Sequence, residues 1–176
     1  MYEPKPDAGE TELLLFALER SRAQFAWKTG GLDRAALSRQ LPPSAMTLGG
    51  LLKHLAAVEE RYTIDFTGRP PGPPLDAPEA LADPGWVWRS AVNDEPRQLY
   101  SLWEAAVTRS RAAMAEVLHG EAALDRPAEY TRWDSGESPN LRRILIDLHD
   151  EYARHVGHAD LLREAVDGLV GEDPPA

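Results

Sequence analysis

The chain has 176 residues, no cysteine and five histidines, a length that suits one domain with a substantial core. Without cysteine there is no disulfide framework and no cysteine nucleophile; a bound metal needs His, Asp or Glu, and any thiol chemistry brings its thiol from outside. Lys and Arg number 19 against 29 Asp and Glu, and the formal charge of −10 argues against binding a phosphate backbone.

The longest uninterrupted apolar run, Leu13 to Leu18, is too short to cross a membrane. The start, Met1-Tyr2-Glu3-Pro4-Lys5-Pro6-Asp7, lacks the basic region and apolar stretch of a secretory signal, so a soluble cytoplasmic protein is expected. After an irregular tail over residues 1–10, a Leu-, Ala-, Glu- and Arg-rich stretch from about Thr11 to Lys28 predicts a first helix, ended by Gly30-Gly31. A connector with one helical turn near Leu32 to Ser38 leads to a second helix, capped by Thr47 and running to about Thr67 before Gly68. Its apolar positions Leu48, Leu51, Leu52, Leu55 and Val58 recur at helical spacing.

Prolines 70, 71, 73, 74, 78 and 84 predict an extended, ordered crossover over about residues 69–93. Connections of that length are uncommon inside compact domains and usually serve a purpose. Asn93 or Asp94 can cap a third helix that runs to about Leu118, with His119 and Gly120 ending it. Ser138-Pro139 reads as the start of a fourth helix reaching about Val166, before Gly168 and a tail over residues 169–176. The expectation is an all-α single domain over 1–176, a four-helix bundle running up-down-down-up with its long crossover between the second and third long helices.

The apolar stripe of the fourth helix, Leu141, Ile144, Leu145 and Leu148, continues to Glu151 and His155. Residues four apart share a helix face, and a core-facing carboxylate needs a metal or a hydrogen-bonded partner. On the second helix His54 sits among Leu51, Leu55 and Val58, with Gly50 one turn earlier leaving room beside its imidazole. His54, Glu151 and His155 are thus a candidate metal site. Two imidazoles and one carboxylate suit zinc first, then nickel or ferrous iron, with positions left open for water or substrate. Two plainer readings stand beside it: His54 as a hydrogen-bonded core histidine, and Glu151 with His155 as a buried pair fixing helix register.

His158, one turn after His155, borders the pocket or supports a ligand from behind, while His149 is expected to face solvent and His119 belongs to a helix end. Asp147, one turn before Glu151, is a candidate general base or ligand-orienting group, with a solvated surface aspartate as the alternative. Trp27, Trp103 and Trp133 either line the pocket or pack the core. The His-Glu-x-x-His spacing of zincin proteases is absent, as are a nucleophile elbow, a phosphate-binding loop and a dinucleotide fingerprint.

Trp27-Lys28-Thr29-Gly30-Gly31-Leu32, and Pro43-Ser44-Ala45-Met46-Thr47-Leu48-Gly49-Gly50 through His54 to Val58-Glu59, resemble the first half of the DinB/YfiT-like superfamily. The stretch from Glu151-Tyr152-Ala153-Arg154-His155-Val156-Gly157-His158 to Asp167-Gly168 is similar to the C-terminal signature of one branch, that of the metal-binding domain of mycothiol-dependent maleylpyruvate isomerase. Many relatives have histidine where this chain has Glu151, and that branch has glutamate. The resemblance implies a helical bundle holding a divalent metal on His54, Glu151 and His155. It further implies a thiol S-transferase or isomerase that uses a mycothiol-like cosubstrate on a small electrophile. A metal-dependent hydrolase of a small substrate and a non-catalytic, stress-associated metal-binding bundle are the alternatives. The partners expected are a small-molecule substrate and, on an exposed flank, a second copy of the chain as a homodimer; nucleic acid and membrane are not.

Overall fold

A computed structural model describes residues 3–120, 122–132 and 134–174. Four long helices carry most of the chain: α1 (Glu10–Thr29), α3 (Leu48–Thr67), α6 (Pro96–Val117) and α7 (Leu141–Asp167). Between them lie three short ones, α2 (Arg34–Leu37), α4 (Pro78–Ala82) and α5 (Trp86–Ser90). The expected all-helical class holds, with no strand among the described residues beyond one isolated bridge between Pro127 and Asn140. Nor is any described helix long and apolar enough to cross a membrane.

The Leu-rich faces determine the packing. α3 buries Leu48, Leu51, Leu52 and Leu55 completely and lies against α6 and α7, while α1, through Leu18 and Phe25, packs on α7. Thr47 caps α3 as expected, its hydroxyl accepting from the Gly50 N–H at 3.0 Å, and Gly68 closes that helix at φ 68°, a left-handed conformation that glycine adopts without steric cost.

Three expectations are corrected. The crossover is not extended throughout: α4, α5 and a 3₁₀ turn at Ala91–Asn93 occupy much of it. Pro78 stands at the first position of α4, where a missing N–H removes no hydrogen bond, so proline there starts a helix. The third long helix is capped by Glu95 and not by Asn93 or Asp94. Asn93 ends the 3₁₀ turn, the Asp94 carboxylate is taken by Lys53 at 2.5 Å, and the Gln98 side chain accepts from the Glu95 N–H at 2.8 Å. The cap of α7 is Asn140, whose Oδ1 accepts from the Arg143 N–H at 3.0 Å, in place of Ser138. Pro139 stays outside the helix because its carbonyl accepts from the Ala128 N–H at 2.8 Å, next to the Pro127–Asn140 bridge.

One charged network runs through the interior. Arg22 of α1, 1% exposed, donates to both oxygens of Glu59 on α3 at 2.7 and 2.6 Å and to Ser110 of α6 at 3.1 Å. Tyr152 of α7 donates to the same carboxylate at 2.6 Å and accepts from the Trp103 indole at 2.9 Å. All four long helices therefore meet on one buried, satisfied ion pair, as buried charges require.

Candidate metal site

The inward stripe of α7 reads Leu141, Leu145, Leu148, Tyr152, His155 and Ala159, all buried. Tyr152 and not Glu151 continues the core, since its hydroxyl has Glu59 and Trp103 as partners; Glu151 stands at the edge of the stripe with its side chain 29% exposed. From there it faces His54 on α3. Glu151 Oε2 lies 3.6 Å from His54 Nε2 and 3.4 Å from His155 Nε2, and the two imidazole centroids are 4.6 Å apart. One ligand atom from each residue lies within 4.8 Å of the others.

Two features fit this set to a cation. His54 Nε2 is buried and has no hydrogen-bond partner among the described residues, which is costly unless something else takes its lone pair. Nitrogen and oxygen donors on one tetrahedral zinc, each at about 2.0–2.1 Å, stand about 3.3 Å apart, close to the separations from Glu151. Burial pushes the His155 imidazole down to about 4, with the neighbouring His54, His158 and Arg154 adding to the effect. Burial also lowers His54, against an opposing pull from Glu151. Both rings are thus neutral at neutral pH, the form that binds metal.

His155 has its other nitrogen, Nδ1, 3.2 Å from Nδ1 of His158. A bond there fixes which His155 nitrogen keeps its lone pair and orients the ring. Trp88, from α5, stacks on His54 with centroids 4.6 Å apart and planes at 23°. A Cβ on Gly50 would come 3.0 Å from Trp88 Cε3, so the room left by this glycine is filled by an indole. Sequence reasoning missed Trp88. The signal available was Gly49-Gly50 inside a Leu-rich helix, where glycine weakens the helix unless something approaches its backbone.

The other candidates lie elsewhere. Both oxygens of Asp147 are within 2.6 and 2.7 Å of Arg143 Nε, and its carboxylate faces a depression shared with Tyr62 and Asp65. Trp27 carries the Lys28 ammonium over its ring, and Trp103 is buried against Tyr152; Trp133 lies outside the described residues. His119 is exposed beyond α6, and His149 is half-buried where solvent exposure was expected.

Beside His54 and Glu151 opens a cavity of about 460 Å³, walled by α3 and by the crossover. Three protein donors at the edge of such a cavity leave room on a bound cation for an exogenous ligand. No curated protein matches the chain. A family model described as Mycothiol-S-transferase matches residues 13–168, a span holding His54, Glu151, His155 and all four long helices except the first turn of α1, and the chain belongs to that DinB-like family.

Proposed function

We propose that the protein is a divalent-metal-dependent thiol S-transferase that joins a mycothiol-like thiol to a small electrophile, with His54, Glu151 and His155 holding the ion, zinc before nickel or iron. The observation that carries this reading is the convergence of two imidazoles and one carboxylate, with the Nε2 of His54 buried and without a hydrogen-bond partner among the described residues. The family match supports transfer to or from mycothiol. A divalent ion bound there would supply Lewis acidity, which lowers the pKa of a thiol.

The remaining roles belong to the chain. Glu151 offsets part of the ion's charge, His158 orients His155, and Trp88 covers one face of His54 against water. In the transfer a C–S bond forms as the bond from carbon to its leaving group breaks, and the thiol proton departs with that group. Asp147 is not assigned as base, because Arg143 already holds its carboxylate. The same reading takes the chain as one domain, its long helices running up-down-down-up. It is supported by the α3/α6 and α1/α7 packing and by a crossover long enough to traverse the bundle.

Elemental analysis of the purified protein tests the site. About one equivalent of divalent metal is expected in the wild type and close to none in the His54→Ala/His155→Ala variant; equal content in both overturns it. Mycothiol-dependent consumption of monobromobimane should then run faster with the loaded protein than in its absence. Turnover of ester or amide substrates without thiol would point to a hydrolase, and a loaded protein inert toward every substrate to a non-catalytic bundle.

A further inference from the structure

The cavity beside the metal-binding residues has two walls of different origin. One is the outer face of α3, where Ala57, Val58 and Ile64 follow His54. The other is the crossover, which contributes Leu75, Leu81 and Val87. The carboxylates on these walls, Glu151 aside, are already engaged. Glu60 accepts from Arg109 Nε at 2.5 Å and from the Gly72 N–H at 3.1 Å, and Asp83 accepts from Arg89 and from the Gly85 N–H.

The crossover wall is built in advance. Three successive residues of α5 divide the work: Trp86 packs under the Lys53 ammonium at 4.2 Å, Val87 faces the cavity and Trp88 stacks on His54. Lys53 is itself tied to Asp94 at 2.5 Å, so both flanks of α5 are fastened to α3.

We infer that this cavity is the subsite for the electrophile, that its occupant has an apolar body, and that the crossover is the element that sets which electrophiles are accepted. The inference rests on the transferase reading and deepens it. A thiol bearing a sugar and a cyclitol would find few free polar partners along these walls beyond Arg61 and Tyr62, and hydroxyls left without partners are costly. Its polar body finds better company across Tyr62, in the depression with Asp65, Asn140 and Asp147. An apolar chain in the cavity, by contrast, lies against leucine, isoleucine and valine with its head toward His54 and Glu151.

The test uses the full-length, zinc-loaded protein and two homologous series. Binding of unreactive primary amides, butanamide to octanamide, is followed by tryptophan fluorescence, and mycothiol-dependent consumption of 1,2-epoxybutane to 1,2-epoxyoctane is followed in parallel. Affinity should rise by about fourfold per methylene until the cavity is full. Two variants that fill the space from opposite walls, Ala57→Leu and Ala80→Leu, should each weaken octanamide at least tenfold while keeping their zinc; the second lies on the short α4, so one reports even if the other fails to fold. A flat amide series, or octanamide bound equally by wild type and a folded variant, overturns the inference. A rising amide series with no thiol-dependent loss of epoxide upholds the apolar subsite and sinks the transferase reading instead.

Discussion

Asp65 shows how a single side chain can oppose the fold that holds it. It lies on α3, 6% exposed, and burial pushes its carboxyl up to about 6 against the opposing effect of Arg61. Among the described residues no donor reaches its carboxylate, although its backbone carbonyl accepts from the Glu129 N–H at 2.8 Å. The folded chain therefore holds this proton more tightly than the unfolded chain, whose aspartate titrates near the ordinary 3.8. Its contribution to stability is fully present below that value and is lost as pH rises through about 6. Asp65→Asn has the same shape and no charge to desolvate. It should raise stability by about 1–2 kcal/mol at pH 8 and change little at pH 4, as read from urea unfolding at the two pH values. An equal increment at both would show that ionisation is not the cause. Asp65 also bears on what a sequence reveals. On α3 it is a charged letter like Glu59 and Glu60, and only their surroundings separate the three: an arginine in the core for Glu59, an arginine at the cavity for Glu60, and none within hydrogen-bonding reach for Asp65.

The long helices are joined by that same distinction. Glu59→Ala would leave Arg22 buried with Glu19 as its remaining carboxylate, and removing one partner of a buried pair costs about 3–5 kcal/mol. Tyr152→Phe keeps the pair but strands the Trp103 indole N–H and one bond to Glu59, for a loss of about 1–3 kcal/mol. Chemical unfolding should rank the two in that order, and a Tyr152→Phe loss as large as that of Glu59→Ala would place the weight on the tyrosine. This network was invisible in the sequence, because it depends on the mutual rotation of four helices, which no single stripe encodes. The helices themselves were legible, since leucine spacing and the Thr47 and Gly68 caps are local signals. Their starts were less so: Ser138-Pro139 is a valid local signal, overruled by the pairing of the Pro139 carbonyl with Ala128. His54, Glu151 and His155 could be paired because each lies on or beside an apolar face. Trp88 could not, because it reaches His54 from a proline-rich crossover whose short helices have no period to read.

The three donors belong to α3 and α7, with His54 and Glu151 97 positions apart in the chain, so a cation bound to them engages the folded molecule and finds no such cluster in the unfolded one. A ligand of that kind stabilises by mass action: at a free concentration about a hundredfold above its dissociation constant it adds about 2.7 kcal/mol. For a chain of this size each kcal/mol moves the midpoint by about 2–4 °C. Stripping the metal with a chelator should therefore lower the thermal midpoint by about 5–11 °C, and returning zinc should restore it. The His54→Ala/His155→Ala variant supplies the control that separates this site from adventitious zinc, because it retains the other exposed carboxylates and His119. Its midpoint should not respond to chelator or to zinc. A variant that responds as strongly as the wild type would place the stabilising ion elsewhere. A wild type that loses its metal without any shift would mean that the folded chain binds the ion no more tightly than the unfolded one, contrary to three donors that only folding brings together.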